Sequence, residues 1–340
     1  MRKKIILITG ANGEVGHGLI NALAEQANTP DIVVLDIRVL DKAMRAKVHE
    51  VKVGDILDTA MLETLTNEYE IDAIFHLAAL LSTHAEFNPE QAHRVNVQGT
   101  INLLRLSLEQ SRMREKPVKF IYPSSIAVYG LPDLNTKAAS KPIKEREYNT
   151  PITMYGMNKL YCEHLGRYYA RHYRQLAATR ETHMIDFRCV RFPGLISATT
   201  VPTGGTSDFA PEMLHAAASG KPYAAFVRED TRIPFMAMPD AVQALLKLAD
   251  APREKLSQLV YNVTSFSPAA AELRDLTASA FSGAKITFEP HLQRQNILDT
   301  WPAEVDDTAA EADWGWSPQY DLLHAFEDYL IPTIRQRYQD

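Results

Sequence analysis

The sequence predicts an α/β fold in which a doubly wound parallel sheet carries a smaller, discontinuous C-terminal lobe. Three observations predict this fold class. Short runs rich in isoleucine and valine alternate with helical patterns through the first half of the chain, and this alternation is typical of a parallel sheet. A glycine-rich turn joins the first strand to the first helix. The alternation stops after Pro193, where shorter elements and loops begin.

The sheet strands are predicted from short apolar runs, as expected for strands that are buried on both faces. These runs are Ile5–Thr9, Ile32–Asp36, Val48–Val53, Ala73–His76, Val118–Tyr122 and Met184–Val190. Helical periodicity occupies Val15–Gln26, Thr59–Tyr69, Pro89–Ser111 and Thr153–Arg174 between them. We expect residues 1–192, together with about 236–265, to form this first domain.

The second half of the chain is interpreted as a smaller lobe made of residues 193–235 and 266–340. A loop is predicted at Pro202–Thr206, and Leu259–Val263 is predicted to return to the sheet as a strand. The lobe elements are helices near Asp208–Ala218, Pro239–Ala249, Pro268–Phe281, Asp306–Asp313 and Leu322–Arg335, and a strand near Lys285–Glu289. The crevice between lobe and sheet is expected to hold a ligand, because open α/β sheets bind ligands outside the carboxyl ends of their strands. The stretch 176–182 looks like an inserted surface loop.

The composition is that of an ordinary globular chain and argues against several other classes. The 340 residues are 46% hydrophobic and 23% charged. A net charge of -6 argues against a nucleic-acid partner. No apolar stretch approaches the length of a membrane span, so no membrane partner is expected. Cys162 and Cys189 lack a metal-like spacing, which favours a reducing, cytoplasmic location.

The glycine-rich segment Gly10–Gly16 follows the first strand and opens the first helix, with glycines at a GxxGxxG spacing. Glycines permit close approach of a ligand, and amides at a helix start attract a pyrophosphate. Asp36 ends the second strand 20 residues after Gly16, where a carboxylate can bind ribose hydroxyls and repel a 2′-phosphate. The segment therefore predicts a Rossmann sheet that binds NAD rather than NADP, although Arg38 could accommodate a phosphate. A tight turn and a capping aspartate are the alternatives.

Tyr155 and Lys159 lie four residues apart on a predicted helix, and such residues share one face. A lysine cation one turn from a phenol favours the phenolate, which would make Tyr155 a general base near neutral pH. Ser124 and Ser125 follow a predicted strand at the mouth of the crevice, where a hydroxyl can stabilise charge on a substrate oxygen. An ordinary amphipathic helix and an ordinary turn are the alternatives.

These motifs together resemble the extended short-chain dehydrogenases, a class that includes the nucleotide-sugar epimerases. The resemblance rests on the glycine segment, Asp36, Asp55, His76–Ala79, Asn96, Ser124–Ser125, Val128–Gly130, Tyr155 with Lys159, and Arg191–Gly194. It implies Tyr155 as base, Lys159 as its partner and Ser125 as the hydroxyl helper, since Ser125 is in register when counted back from Val128. It also implies NAD as the cofactor. The implied cofactor-binding residues are Gly10, Asn12, Gly13, Val15, Gly16, Asp36, Arg38, Asp55, Ile56, Leu77, Ala78, Ala79, Asn96, Tyr155, Lys159 and Pro193.

Longer strings in the second lobe resemble the epimerase-like L-threonine 3-dehydrogenases. They are Phe192–Ser197, Pro202–Ala210, Ile297–Pro302 and Asp313–Trp316. The resemblance implies oxidation of L-threonine at C3 to L-2-amino-3-oxobutanoate, with hydride passing to NAD. The implied substrate-binding residues for this small amino acid are Ser82, Ser125, Tyr155, Gly205, Thr206 and Trp301. The family also implies a homodimer paired through the helices 89–111 and 153–174.

Two other functions remain open at this point. A nucleotide-sugar 4-epimerase or dehydratase would keep Tyr155 and Lys159 but needs basic contacts for a diphosphate, and Pro202–Asp208 offers few cations. A non-catalytic dinucleotide-sensing protein is the second, although such a protein often lacks the tyrosine or the lysine. No metal site is expected. His164 and His172 would lie about 80° apart around a helix of 3.6 residues per turn, and no set of four thiols exists.

Overall fold

The computed structural model describes residues 2–27, 29–178, 181, 184–202 and 204–339. The strands are β1 Lys3–Thr9, β2 Asp31–Asp36, β3 Glu50–Val53, β4 Tyr69–His76, β5 Val118–Ser125, β6 Ile185–Phe192, β7 Gly194–Ile196, β8 Tyr223–Ala225, β9 Phe235–Ala237, β10 Val260–Asn262 and β11 Ile286–Phe288. The helices are α1 Glu14–Ala24, α2 Lys42–Arg45, α3 Thr59–Glu68, α4 Ser82–Phe87, α5 Pro89–His93, α6 Gly99–Arg114, α7 Leu134–Ala139, α8 Met154–Arg171, α9 Phe209–Ala218, α10 Met238–Asp250, α11 Ala270–Ala280, α12 Leu292–Asp299, α13 Thr308–Trp314, α14 Leu322–His324 and α15 Ile331–Gln339.

A seven-stranded sheet in the order β10-β6-β5-β4-β1-β2-β3 forms the centre of the fold. All of its strand pairs are parallel, so the predicted doubly wound sheet is confirmed. The chain starts in the middle at β1, builds β2 and β3 on one side and then crosses to β4 on the other. A ligand crevice is expected where the strand order reverses, at the carboxyl ends of β1 and β4.

The sheet is covered on both faces, and β1 shows how alternation produces this. Ile5 and Leu7 belong to the hydrophobic cluster on the face covered by α3, α6 and α8. Ile6 and Ile8 belong to the cluster on the opposite face, where α1 packs against α10. Successive side chains of a strand point to opposite faces, so a continuous apolar run supplies both cores.

A third hydrophobic cluster, with aromatic side chains such as Phe209, Trp301 and Phe326, joins the second lobe to residues of the first domain such as Val128 and Tyr129. Two small parallel pairs, β7 with β9 and β8 with β11, belong to this part of the chain. Trp316, however, packs with the cluster on the α1 and α10 face of the main sheet. The C-terminal segment therefore contacts the sheet, and the domain bounds given above stay a prediction.

The structure differs from the sequence-based elements at several boundaries. The helix predicted at 89–111 is interrupted by a π-helical turn at Arg94–Gln98. There the carbonyl of Asn96 accepts the Thr100 hydroxyl at 2.6 Å and the Cys162 thiol at 3.3 Å. Side-chain donors at a helix carbonyl compete with the backbone ladder and widen the turn.

Other boundary errors arise from contacts distant in sequence. Tyr69 begins β4 instead of ending α3, and its carbonyl accepts the side-chain amide of Gln110 at 3.1 Å. β5 extends three residues beyond its predicted end, because residues up to Ser125 pair with β6. The short helices α2, α4, α7 and α12 were not predicted. The proposed insertion 176–182 includes Thr179, Arg180 and Thr182, which lie outside the described residues.

Candidate active site

A cleft of about 720 Å³ opens at the carboxyl ends of the central strands. Its walls include the segments that end or directly follow β1, β4, β5 and β6. The predicted site residues in these walls are Gly10, Gly13, Val15, Gly16, Arg38, Leu77, Ala79, Ser82, Ser125, Tyr155, Lys159, Pro193, Gly205, Thr206 and Trp301. The structure therefore brings the three predicted catalytic side chains to the same cleft as the predicted substrate residues.

The glycine segment between β1 and α1 presents backbone to this cleft. Gly10 has φ +70°, and a Cβ on it would lie 2.5 Å from the amide nitrogen of Ala78. Any side chain there would clash with the segment that follows β4. Gly13 is the N-cap residue of α1, and it makes no side-chain hydrogen bond to the backbone N–H groups of the first turn. An uncapped helix start lining a cleft fits a pyrophosphate.

Asp36 lies at the end of β2 with its carboxylate only 7% exposed. Its two oxygens accept the backbone N–H groups of Asn12 at 2.9 Å and Arg38 at 3.0 Å. These donors fix the carboxylate beside the glycine segment, and each oxygen keeps lone pairs for ribose hydroxyls. The side-chain amide of Asn12 donates to the carbonyls of Arg38 and Val39. This geometry also fits NAD, since it holds a fixed negative charge beside the glycine turn.

Six of the predicted cofactor residues do not line the walls of the cleft: Asn12, Asp36, Asp55, Ile56, Ala78 and Asn96. Asn96 is 2% exposed, and its amide group donates to the Leu80 carbonyl at 3.0 Å and accepts the Leu80 N–H at 2.8 Å. It therefore holds the segment after β4 in place. Asp55 is exposed and accepts the N–H of Leu57 at 2.9 Å. Direct contacts of these six residues with a cofactor stay predictions.

Tyr155 and Lys159 lie in the first turns of α8, whose start is capped by the Thr153 hydroxyl. The Lys159 Nζ donates to the Pro123 carbonyl at 2.7 Å and lies 4.6 Å from the ring centroid of Tyr122 and 5.6 Å from that of Tyr155. Burial lowers the pKa of Lys159 to about 8. Burial also raises the pKa of Tyr155 well above its ordinary value.

The expectation that Lys159 favours the phenolate of Tyr155 stays a prediction. Burial opposes the charged form of both groups. The ammonium of Lys159 donates to the carbonyl of Pro123, and it does not offset the burial of the phenol. The role of Tyr155 as a general base remains a prediction.

The two serines at the end of β5 have different surroundings. The Ser124 hydroxyl is buried and donates to Oε1 of Glu163 at 2.6 Å. The Ser125 hydroxyl accepts the N–H of Ala127 at 3.1 Å, and its own proton remains available to a substrate oxygen. Contacts therefore support the choice of Ser125 over Ser124 made from register alone.

Glu163 joins Ser124 to Arg191 in a buried hydrogen-bond network, and the sequence analysis did not identify Glu163. Its carboxylate forms a two-point ion pair with Arg191 at 2.9 and 2.6 Å, and both side chains are buried. Arg191 also donates to the carbonyl of Glu145 and lies over the ring of Tyr129. A fully paired buried network of this kind holds its members in one geometry.

The predicted substrate residues Ser82, Gly205, Thr206 and Trp301 line the same cleft, and the part that they form is called the substrate half below. The Ser82 hydroxyl accepts the N–H of Thr206 at 3.3 Å. Thr206 is 6% and Trp301 4% exposed. Asp208 accepts the N–H of Gly205 at 2.6 Å, and a Cβ on Gly205 would lie 2.7 Å from that carboxylate. Thr203, which belongs to the predicted loop, lies outside the described residues.

The cleft is also lined by polar residues to which the sequence analysis assigned no role: Glu14, Thr83, His84, Ser197, Thr200 and Asp208. Burial raises the pKa of Glu14, a hydrogen bond with Thr200 lowers it and nearby Asp208 raises it. A carboxyl inside a glycine motif, in the first turn of a helix, was the available signal for Glu14. For Asp208, the available signal was its position at the start of a helix, shortly after Gly204 and Gly205.

The described residues provide neither a membrane-crossing helix nor a metal cluster. No helix among them is both long and apolar enough to cross a bilayer. In the same ranges no group of three or more His, Cys, Asp or Glu side chains could hold a metal ion.

A dinucleotide crevice with a tyrosine, a lysine and a serine at its centre defines the protein as an NAD-dependent oxidoreductase built on a Rossmann sheet. The model of the NAD dependent epimerase/dehydratase family matches residues 6–264. The chain belongs to this family. The family predicted from the motifs is thereby confirmed, and its members imply NAD(H) as the cofactor.

Several similar proteins are L-threonine 3-dehydrogenases. The mitochondrial L-threonine 3-dehydrogenase of Bos taurus is 32% identical over 322 residues, covering 93% of this chain and 79% of that protein. The structure of a monomeric L-threonine 3-dehydrogenase from a metagenome superposes with a TM-score of 0.84 at 35% identity, covering 98% and 99% of the two chains. L-threonine dehydrogenase from Clostridium difficile gives a TM-score of 0.85 at 32% identity, covering 99% of each chain.

Proposed function

We propose that this protein oxidises L-threonine at C3 to L-2-amino-3-oxobutanoate with NAD. One observation carries the proposal: Tyr155 and Ser125 line the same cleft as Ser82, Thr206 and Trp301. Its substrate half holds hydroxyls and a buried indole, which suit a small hydroxy amino acid. The similar L-threonine dehydrogenases support the same substrate.

In the proposed reaction Tyr155 takes the proton of the C3 hydroxyl as the C3–H bond gives up hydride. The Ser125 hydroxyl donates to the C3 oxygen and fixes it toward Tyr155. Lys159, held by the Pro123 carbonyl, stabilises negative charge on the tyrosine oxygen. NAD, when bound, supplies the hydride acceptor.

The charge of the cleft favours a small zwitterion over a nucleotide sugar. Among its described lining residues the cationic or titratable basic ones are Arg38, His84 and Lys159. Arg38 lies beside Asp36 at the cofactor end, and Lys159 donates to a backbone carbonyl. A sugar diphosphate needs cations at the substrate end, whereas a zwitterion can be bound by hydroxyls and backbone groups.

The test is NADH formation by the purified protein with L-threonine and with L-serine. Conversion of UDP-glucose is followed in parallel by chromatography of the sugar nucleotide, because an epimerase forms no net NADH. We expect turnover with L-threonine, weaker turnover with L-serine and no conversion of UDP-glucose. Turnover of UDP-glucose without oxidation of L-threonine would replace the proposal by an epimerase. Tight NAD binding without turnover of any of the three would favour a sensing protein.

Tyr155→Phe is expected to lower kcat at least about 100-fold, because it removes the group that accepts the proton. NAD binding, measured by calorimetry, should stay nearly unchanged because the ring is kept. Tyr161→Phe is the matched control, since Tyr161 lies on the same helix and is 50% exposed. A Tyr155→Phe variant with the activity of the parent protein would refute the assignment of the base.

We also propose that two copies pair through α8 and the neighbouring helices. Met157, Tyr161 and Tyr168 form an exposed stripe on α8, and Phe87 is 80% exposed on α4, which packs against α8. Exposed apolar stripes of this kind mark association surfaces. Light scattering after size exclusion should give twice the mass of one chain, and Tyr161→Glu should shift the measured mass toward that of a single chain. A monomer at micromolar concentration would contradict this, and the metagenome relative is described as monomeric.

A further inference from the structure

In the substrate half, hydrogen bonds from other residues to its backbone groups hold the segment Gly204–Thr206 in place. The Thr83 hydroxyl donates to the Gly204 carbonyl at 2.5 Å. Asp208 accepts the N–H groups of Gly204 and Gly205, and Ser82 accepts that of Thr206. These contacts come from α4 and from the start of α9. The Gly205 carbonyl accepts the N–H of Asp208 at 3.2 Å and has a second, shorter contact from a third element.

Arg294 on α12 provides that shorter contact. Its Nη2 donates to the Gly205 carbonyl at 2.6 Å. Its guanidinium carbon lies 3.2 Å from the ring centroid of Phe226, a buried side chain of the third hydrophobic cluster. Stacking on an aromatic face fixes the plane of a guanidinium and therefore the direction of its N–H groups. Arg294 is not among the residues that line the cleft, so it acts on the cleft through Gly205.

The helix that carries Arg294 is itself held firmly. Gln295 is 3% exposed and accepts the N–H of Arg228 at 2.7 Å, while Asp299 pairs with the Arg228 side chain at 2.8 Å. Trp301 lies two residues beyond Asp299, the last residue of α12. One rigid helix therefore determines the positions of both Trp301 and, through Arg294, the Gly204–Thr206 segment.

We propose that Arg294 is a positioning residue that sets the affinity of this site for its amino-acid substrate. By holding the Gly205 carbonyl to α12, it keeps Thr206 and Trp301 at a fixed separation across the substrate half. This inference rests on the proposed function, because it assigns the segment 204–206 to the amino acid. It adds a residue that the resemblance to L-threonine dehydrogenases did not supply.

The test compares Arg294→Met, Arg294→Lys and Arg274→Met with the parent protein. Arg274 is a matched control, because it also lies near a ring of the lobe, at 5.4 Å from the Phe288 centroid, and does not line the cleft. Arg294→Met should raise the KM for L-threonine about tenfold or more through loss of a charge-assisted hydrogen bond. Arg294→Lys should raise it less, since it keeps the charge but loses the planar fork.

The kinetic pattern separates positioning from general support of the fold. In Arg294→Met, kcat and the Kd for NAD should stay within about twofold of the parent, and Arg274→Met should match the parent throughout. An unchanged KM overturns the proposal. A joint decrease of NAD affinity, turnover and unfolding temperature would also overturn the proposal, because it would show that Arg294 stabilises the fold in general.

Hydrogen exchange gives a second test that needs no turnover. Amides in the peptide 204–208 should exchange faster in Arg294→Met than in the parent, while amides of β5 and the Arg274→Met control stay unchanged. Unchanged exchange at 204–208 overturns the positioning role. If the parent does not oxidise L-threonine, the proposed function fails, and the exchange data alone decide whether Arg294 holds the segment.

Discussion

Ser124→Ala and Ser125→Ala are expected to separate activity from stability at neighbouring positions. Ser124 donates to Glu163, which keeps two bonds from Arg191 after the substitution. A hydrogen bond to a charged group contributes about 1.5–3 kcal/mol, and the remaining bonds place this loss near about 1.5 kcal/mol. For 340 residues the unfolding entropy is about 0.7 kcal/mol/K, so the unfolding temperature should fall by about 2 °C.

Ser125→Ala should cost a similar amount of stability and far more activity. It removes the cap of the turn Ile126–Val128, in which Ser125 accepts the N–H of Ala127, and a lost cap costs about 1 kcal/mol. It also removes a donor to the substrate oxygen, which should lower kcat about 100-fold or more. Because both variants lose comparable stability, unfolding cannot account for a difference in kcat.

The assay is steady-state NADH formation from L-threonine, with unfolding followed by differential scanning fluorimetry. We expect kcat of Ser124→Ala within about fivefold of the parent, since the Ser124 hydroxyl donates to Glu163 and its proton is not free for a substrate oxygen. Equal losses of kcat in the two variants would refute the reasoning. So would a Ser125→Ala variant that keeps the kcat of the parent.

Three further outcomes follow from the cofactor half and the central lysine. Asp36→Ser should lower the preference for NAD over NADP in kcat/KM by about tenfold or more, since it removes a carboxylate that would repel a 2′-phosphate; an unchanged ratio would contradict this. Gly10→Ala should lower both the unfolding temperature and NAD affinity in calorimetry, because its φ is +70° and its Cβ would lie 2.5 Å from Ala78; parental values for both would count against the clash. Burial lowers the pKa of Lys159 from 10.5 to about 8 in the folded chain. The stability that comes from keeping Lys159 neutral is therefore fully present above pH 10.5, and it is lost as the pH falls through about 8. Lowering the pH from about 10 to about 7 should therefore shift the unfolding temperature of Lys159→Met upward relative to the parent, and a constant difference would contradict the shift.

The central sheet was predictable because its signals are local. Each strand is a short apolar run, and burial on both faces requires only that run. The glycine segment was predictable for the same reason: Gly10 and Gly13 serve a turn whose geometry depends on residues close in sequence. Ser125 could be chosen over Ser124 by register, because the number of residues between it and Val128 fixes its position at the end of β5.

Contacts between distant residues set the features that sequence reasoning missed. The π-helical turn at Arg94–Gln98 depends on Cys162, 66 residues beyond Asn96. Arg294 reaches Gly205 across 89 residues, and nothing near either position marks the pair. Asn96 was predicted to contact the cofactor, while its side chain is bonded to Leu80. Residue type indicated that these side chains matter, but only the fold identifies their partners.

The electrostatics of Tyr155 and Lys159 show why a motif spacing does not fix a pKa. Four residues on a helix place the two side chains on one face, but the sign of each shift depends on burial, which raises the pKa of Tyr155 and lowers that of Lys159. Both shifts favour the neutral form of each group in the chain by itself. Interacting groups titrate as a unit, and moving a proton from Tyr155 to a neutral Lys159 creates phenolate and ammonium side by side without a net change of charge. A substrate hydroxyl in contact with Tyr155 therefore meets a base whose strength depends on Lys159, and the pH dependence of kcat should report the pair rather than the tyrosine alone.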